Sequence, residues 1–371
     1  MALFVYGTLR HKPLLATLLG RDPDTLDLTP ARLPGWRARA VAGHDFPVLV
    51  PGEGAAEGLL FEPDAEARAR LDFYEGGYAY GCRRLDVETA DGPVTADVYV
   101  PEPGRWPEAG DWSLDDWAER WGDVMRFVAE EVMERRAAGQ TPEQVARVFT
   151  AIRARAWIRA RLVQPAPTAL RSAAHPAEIT GFGQGFDGFF RLRTFTMRQA
   201  RFDGGAAAEI SRECFVSFDA ALILPYDPAS DCVLLVEQMR IGALIRNDPH
   251  PILLEPVAGL IDAGESPAEA AVREAMEESG ITIRAVEPIA GVYASPGYNT
   301  DYFHCFLGLA DLAGADKRLG GAPEEHEDIR SHVLPLDDAL ALIDSGEINV
   351  APLAMMLLWL ARHRERLRGS A

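Results

Sequence analysis

Three glutamates crowd one short stretch of helix-forming sequence. Glu274 and Glu278 are four residues apart and Glu277 lies three from Glu274, so on an α-helix all three carboxylates project from one side. The helix is legible from its ends. Ser266, Pro267 and Glu269 read as a capping box with proline at the first helical position, and Gly280 is the expected stop, which predicts a helix over 267–279. Ala268, Ala271, Val272 and Ala275 make the opposite side small and apolar, suited to close packing on a sheet. Like charges this near one another destabilise a helix unless something neutralises them. Carboxylate oxygens at this spacing suit Mg²⁺ or Mn²⁺, which keep water ligands and bridge to substrate phosphates. Taken alone, the same three residues also fit a solvated acidic face salt-bridged by Arg273.

A second constellation lies near the N-terminus. Val5-Tyr6-Gly7-Thr8-Leu9-Arg10 places a glycine turn directly after a short apolar strand, and backbone N–H groups in such a turn can hold a carboxylate or an oxyanion. Farther on, Leu71-Asp72-Phe73-Tyr74-Glu75-Gly76 sets an acid in what reads as a glycine-bounded loop.

These residues must be positioned by about two domains, since the chain has 371 residues. With 37 basic and 56 acidic residues the net charge is −19, which repels a phosphate backbone and argues against a nucleic-acid partner. From residue 2 to about 104 the pattern is strand-like: ALFVY, GLLFE and ADVYV read as strands, PGEG and ADGP as turns. Between about 113 and 163 two helices are expected, broken at 139–142 and capped by Ser113 with Asp116 and by Thr141 with Gln144. Trp117 and Trp121 lie one turn apart, a spacing that reads as packing. The proline-rich stretch 164–181 is the boundary, giving 1–110, a helical spacer 111–165, a linker 166–177 and a second domain 178–371. That second domain is expected as α+β, with further helices at 336–345 and 352–367. Gly183-Gln184-Gly185-Phe186-Asp187-Gly188 matches a dinucleotide-loop pattern but lacks a preceding strand and a following helix, so it reads as a flexible loop. Cys82, Cys214, Cys232 and Cys305 form no C-x-x-C pair, and there is no signal-peptide pattern and no membrane-length apolar run. Reduced, buried thiols in a cytoplasmic protein that neither spans nor binds a membrane are expected.

Full spacing is more specific than the three glutamates alone. Gly259, five residues, Glu265, seven residues, then Arg273-Glu274-Ala275-Met276-Glu277-Glu278-Ser279-Gly280-Ile281 resembles the Nudix box, GX5EX7REUXEEXGU, at every position. The resemblance implies an α/β/α sandwich and divalent-metal hydrolysis of a nucleoside diphosphate linked to another group. Val236-Glu237-Gln238-Met239-Arg240, Pro296 in Ser295-Pro296-Gly297, and Glu325-His326-Glu327-Asp328-Ile329-Arg330 extend the similarity to bacterial ADP-ribose pyrophosphatases. Strands FFRLRTFTMRQARFDG and RECF resemble that family's N-terminal strands, which build a swapped homodimer and part of the adenine pocket.

By that resemblance Glu274, Glu278 and the carbonyl of Ala258 are metal ligands for Mg²⁺ or Mn²⁺, supported by Glu277 and Glu265. Arg240 contacts substrate, as do Arg212, Glu213 and Pro296. Glu325, with Glu327 as second choice, orients or deprotonates the attacking water. His326 and His332 read as surface or packing residues rather than ligands. ADP-ribose would yield AMP and ribose 5-phosphate; other nucleoside diphosphate sugars suit the same machinery.

Tyr6-Gly7-Thr8-Leu9 together with Asp72-Phe73-Tyr74-Glu75-Gly76 resembles the γ-glutamylcyclotransferase-like fold, a small β-barrel with flanking helices over about 1–110. That family's substrate amine attacks its own γ-carbonyl and releases 5-oxoproline. Glu75 matches the base, and Tyr6, Gly7, Thr8 and Leu9 match the substrate-holding turn. A non-catalytic binding or regulatory module is the alternative. The order of the two domains also resembles that of bacterial proteins linked to tellurite resistance.

Overall fold

In the computed structural model residues 1–371 are described except 77–79, 103, 164–166, 172–176, 323–325 and 370–371, together with the side chain of residue 184. The chain divides into two compact units, Met1–Ala166 and Pro167–Ala371.

In the first unit, β1 (Leu3–Tyr6), β2 (Thr29–Val41), β3 (Pro47–Phe61), β4 (Tyr80–Thr89) and β5 (Gly92–Pro101) close into a barrel in the order β3-β1-β5-β4-β2, because β2 pairs back onto β3. A short β6 (Glu108–Asp111) adds to β2. The period-two alternation of a strand divides β1 between two cores. Phe4 and Tyr6 join Leu33, Leu49, Val87 and Val98 in one, while Leu3 and Val5 face helices. Those helices are α1 (Lys12–Leu19), α2 (Ala65–Gly76), α3 (Leu114–Ala137), α4 (Pro142–Ala146) and α5 (Phe149–Trp157), followed by a π-turn at Ile158–Leu162.

Ser113 accepts from Asp116 N–H at 3.3 Å, and Thr141 with Gln144 forms a complete capping box. Trp117, Val124, Val128, Val132 and Ile152 sit in one core with Leu3, Leu14, Leu15 and Leu71. Residues 114–162 therefore pack as part of the first unit. Two local readings also differ. PGEG lies inside the continuous strand β3, where the β2 ladder shifts register between Pro34 and Trp36 and absorbs the irregularity. Glu75 stands in the last turn of α2 rather than in a loop, because Asp64 accepts from Ala67 N–H at 2.8 Å and starts a run of good helix formers.

The second unit opens with a three-stranded antiparallel sheet: β7 (Ala177–Asp187), β8 (Arg191–Gln199) and β9 (Glu209–Val216). Residues 183–187 are part of β7, so the glycine pattern is not a flexible loop. The ladder shifts between Phe182 and Gly185, and a Cβ at 185 would collide with the Leu192 carbonyl.

The larger sheet comprises β10 (Asp219–Asp227), β11 (Cys232–Met239), β12 (Ile252–Glu255), β13 (Val257–Leu260), β14 (Ala285–Tyr293), β15 (Tyr302–Leu309), β16 (Leu319–Gly320) and β17 (Ile329–Pro335). Its main path runs β14-β15-β10-β11-β17-β16, with β12 on β11 and β13 on β10. A short α6 (Ile241–Ile245) follows β11. One face of the sheet packs on α8 (Leu336–Ser345) and α9 (Ala351–Gly369) through Leu222, Leu224, Val233, Leu235 and Leu307. Alternate residues Ala221, Ile223, Leu234 and Val236 are buried on the other face, where α7 (Pro267–Ser279) lies against β10 and β13. The result is an α/β/α sandwich. Of the four free cysteines, Cys305 is buried, Cys214 and Cys232 are half-buried and Cys82 is exposed. Among the described residues no helix is long and apolar enough to cross a membrane.

Candidate active sites

Both ends of α7 form as its sequence requires. Ser266 and Glu269 cap it reciprocally, and Gly280 closes it in the left-handed region at φ 64°. The helix is rotated relative to the simplest reading of its faces. Ala270, Ala271, Ala275 and Glu278 are buried, whereas Val272 is 38% exposed. Glu278 therefore borders the packed face, with 2% of its surface exposed, and accepts from Ala258 N–H at 3.3 Å. Glu274 lies against Gly259 so closely that a Cβ there would overlap its carboxylate. Of the three glutamates in the cluster only Glu277 points out, at 47% side-chain exposure.

Arg273 is the cation that pairs with the cluster directly. It donates to Glu265 at 2.9 and 3.0 Å, to Glu274 at 2.6 Å, to Glu277 at 3.0 Å and to the Leu260 carbonyl at 3.0 Å. One guanidinium cannot neutralise so many acids. Burial, opposed by Arg273 and reinforced by Glu277 and Glu327, pushes Glu274 up to about 7. Burial, with further repulsion from Glu274 and Glu327, pushes Glu278 up to about 9. Glu327 thus acts electrostatically on both, and its carboxylate also accepts from Ala322 N–H at 3.0 Å. Glu325 lies outside the described residues.

Such a surplus of buried carboxylate is the donor chemistry that a divalent cation requires. Among the described residues no three acidic or imidazole side chains already form a cation cage. Arg273 pairs with Glu265, Glu274 and Glu277 there.

The remaining residues expected at this site are spread more widely. Arg240 stands between β11 and α6 and pairs with Glu255 at 2.7 Å, a partner no motif marks. Glu255 lies on β12, which pairs with the β11 strand that precedes Arg240. Burial raises the Glu255 carboxyl despite that arginine. Arg212 and Glu213 are exposed on β9, opposite Phe195 and Thr194, and no described hydrogen bond or ion pair joins them to the glutamates within one chain. Pro296 is exposed in the turn closed by Asn299 N–H to the Ser295 carbonyl at 3.1 Å. Neither His326 nor His332 joins the glutamates: His326 is exposed and His332 bonds Glu237 at 2.8 Å.

In the first unit, Tyr6, Gly7, Thr8, Leu9 and Glu75 all line one cavity. Gly7 has φ 62°, and a Cβ there would overlap Pro47, another lining residue. Aromatic rings of Phe46, Tyr74, Tyr80, Tyr99 and Trp117 supply much of the wall. Burial, then the charge of Asp72, pushes Glu75 up to about 8. Burial also raises the Tyr6 hydroxyl, which lies near Tyr80 and Glu75. Behind the cavity, Tyr99 Oη donates to Asp72 at 2.6 Å, and Arg68 bonds Asp72 at 2.9 Å, Asp97 at 2.8 Å and Cys82 Sγ at 3.1 Å. This supporting network has no short motif: its members come from α2, β4 and β5.

Comparison with known proteins follows the same division. Residues 3–114 match the family described as "Gamma-glutamyl cyclotransferase, AIG2-like", and residues 217–354 match "NUDIX domain". The chain is 36% identical over 195 residues to an ADP-ribose pyrophosphatase of Haemophilus influenzae, covering 52% of this chain and 89% of that protein. It is 37% identical over 184 residues to an ADP-ribose pyrophosphatase of Escherichia coli, covering 50% and 87%. A GDP-mannose pyrophosphatase of Pectobacterium atrosepticum is 35% identical over 171 residues, covering 46% and 86%. Together with the glutamate helix and the barrel, these matches place the chain in the Nudix family as a pyrophosphohydrolase that carries an N-terminal AIG2-like γ-glutamyl cyclotransferase domain.

Proposed function

We propose that the second unit hydrolyses ADP-ribose to AMP and ribose 5-phosphate. The pair of inward-turned carboxylates on Glu274 and Glu278, set against Gly259 and Ala258, carries this reading. Glu274, Glu278 and the Ala258 carbonyl would hold Mg²⁺ or Mn²⁺, with Glu265 and Glu277 in support. Bound there, the cation would neutralise pyrophosphate oxygens and acidify a water. Glu325, with Glu327 as second choice, would take the proton as a water oxygen bonds to phosphorus and the P–O–P bridge breaks. Arg240 contacts a substrate phosphate or sugar, and Pro296 shapes the neighbouring turn.

ADP-ribose is favoured over other nucleoside diphosphate sugars by the longer alignments to relatives bearing that name. The relatives named for GDP-mannose keep that sugar nucleotide as the alternative. Release of AMP from ADP-ribose against GMP from GDP-mannose, with Mg²⁺ present and with EDTA, decides between them; no hydrolysis of either sinks the proposal.

A homodimer fits the second unit, since Phe182 and Phe186 on β7 are 75% and 67% exposed. In such a dimer Arg212 and Glu213 would reach substrate from the partner copy. Sedimentation of the native chain tests it, and a monomer would refute it. Free thiols fit a reducing cytoplasm.

For the first unit the proposal is cyclisation of γ-glutamyl amides. Glu75 takes a proton from the substrate ammonium, the freed amine attacks the γ-carbonyl, and Glu75 returns the proton to the leaving nitrogen as the amide C–N bond breaks, releasing the amine and 5-oxoproline. Gathering of Glu75 and the Tyr6–Leu9 turn on one cavity supports it. If the wild-type protein forms no 5-oxoproline from a γ-glutamyl amide panel, the non-catalytic binding module replaces it.

A further inference from the structure

The cavity of the first unit is not built by the barrel alone. The family match ends at residue 114, yet Trp117 and Met125, both on α3, form part of the cavity wall. Asp45, also in the wall, is held at 3.0 Å by Arg153 from α5. The helical stretch therefore shapes what the cavity accepts.

Trp117 is 4% exposed, and among the described residues its indole N–H has no hydrogen-bond partner. Its ring meets His11 edge-on with centroids 5.7 Å apart. A buried donor left unpaired is a standing cost that native structures seldom carry without a reason. Among the described lining residues there is no Lys, Arg or His, and the Asp45 charge is answered by Arg153. Oxygen atoms of a ligand would therefore have to be met by neutral donors. Trp117 is one that no described residue uses.

We propose that Trp117 is a ligand-contacting residue of this cavity, its indole N–H donating to a carbonyl or carboxylate oxygen of the bound molecule. The assignment rests on the reading of the cavity as a γ-glutamyl site only for the choice of first probe. It makes the helical stretch a determinant of specificity, because the donor lies outside the matched family segment.

The test uses the full-length protein labelled with ¹⁵N-tryptophan. Seven tryptophans give seven indole signals, and Trp117 is assigned by its loss in Trp117→Phe. Should that variant unfold, single Phe variants of the other six identify it by elimination. Two probes are titrated: 5-oxoproline, and acetate as a carboxylate without γ-glutamyl character. Expected is a downfield shift of the Trp117 indole proton with 5-oxoproline, and about tenfold weaker 5-oxoproline binding in Trp117→Phe. A shift with acetate but not 5-oxoproline would keep the donor role and overturn the γ-glutamyl reading. A Trp117 indole signal unmoved by both probes overturns the proposal.

Discussion

The carboxylate of Glu274 occupies the space that any side chain at residue 259 would need, so Gly259 is the floor on which that carboxylate rests. Gly259→Ala should displace Glu274 while leaving the capped helix α7 intact. Displacement of a reacting group by about an ångström can cost about 100-fold in rate. Expected is that loss in kcat for ADP-ribose hydrolysis with an unchanged circular dichroism spectrum; unchanged kcat would mean Glu274 is not needed where it lies.

Glu278→Gln removes a buried titratable carboxyl and keeps the shape. Hydrolysis should fall by at least about 100-fold, measured as AMP release at saturating Mg²⁺. The variant also tests a linkage. With its carboxyl pushed up to about 9, the folded state holds a proton that the unfolded chain gives up near the ordinary carboxylate value. Folded protein therefore binds more protons between about pH 4.5 and 9, and metal-free stability falls as pH rises through that window. Melting in EDTA should show this decline in wild type, a weaker one in Glu278→Gln, and Mg²⁺ should oppose it.

Glu75 titrates on the alkaline side of neutrality, so as a base it is mostly protonated below about pH 8. The kcat/KM for 5-oxoproline formation should climb as pH rises through that value, reporting the free protein's base. Asp72→Asn removes a negative neighbour and should move the midpoint to lower pH. A midpoint unchanged by Asp72→Asn would separate the two carboxylates electrically.

Glu131 accepts from two buried arginines, Arg135 at 2.9 Å and Arg155 at 2.6 Å, and Arg135 is wholly inaccessible to solvent. Glu131→Gln leaves buried guanidinium charge poorly compensated and should cost about 3–5 kcal/mol. Calorimetry should show a marked drop in the first unit's Tm, with ADP-ribose hydrolysis surviving at lower temperature.

Legibility in the sequence followed the range of the interactions. Ser266, Glu269 and Gly280 bounded α7 because caps are local chemistry, and the spacing of Glu274 and Glu278 needed nothing beyond helical geometry. Which way the helix turned was not local: Glu278 faces inward because β13 offers it the Ala258 N–H. Residues 183–187 and PGEG were misread for a related reason. Both are strands in which a register shift takes up glycines that, alone, spell a turn. Glu75 was found by motif but given the wrong setting, since Gly76 follows it and masks the end of α2. No short pattern marks Trp117 as part of a cavity wall. That depends on where a helix of 24 residues comes to lie, which only the shared core determines.

The shared core separates two boundaries that are easily taken as one. Similarity to the cyclotransferase family stops at residue 114, but Leu3, Leu14, Leu15 and Leu71 are shielded by side chains that arrive only afterwards. A chain cut at the edge of the homology would thus expose its own interior, because that core runs on to Ala160. What descent transmits as a module and what physics can fold as a module are here of different lengths. Any exchange of the barrel between proteins must carry its helices along, and with them one wall of the cavity.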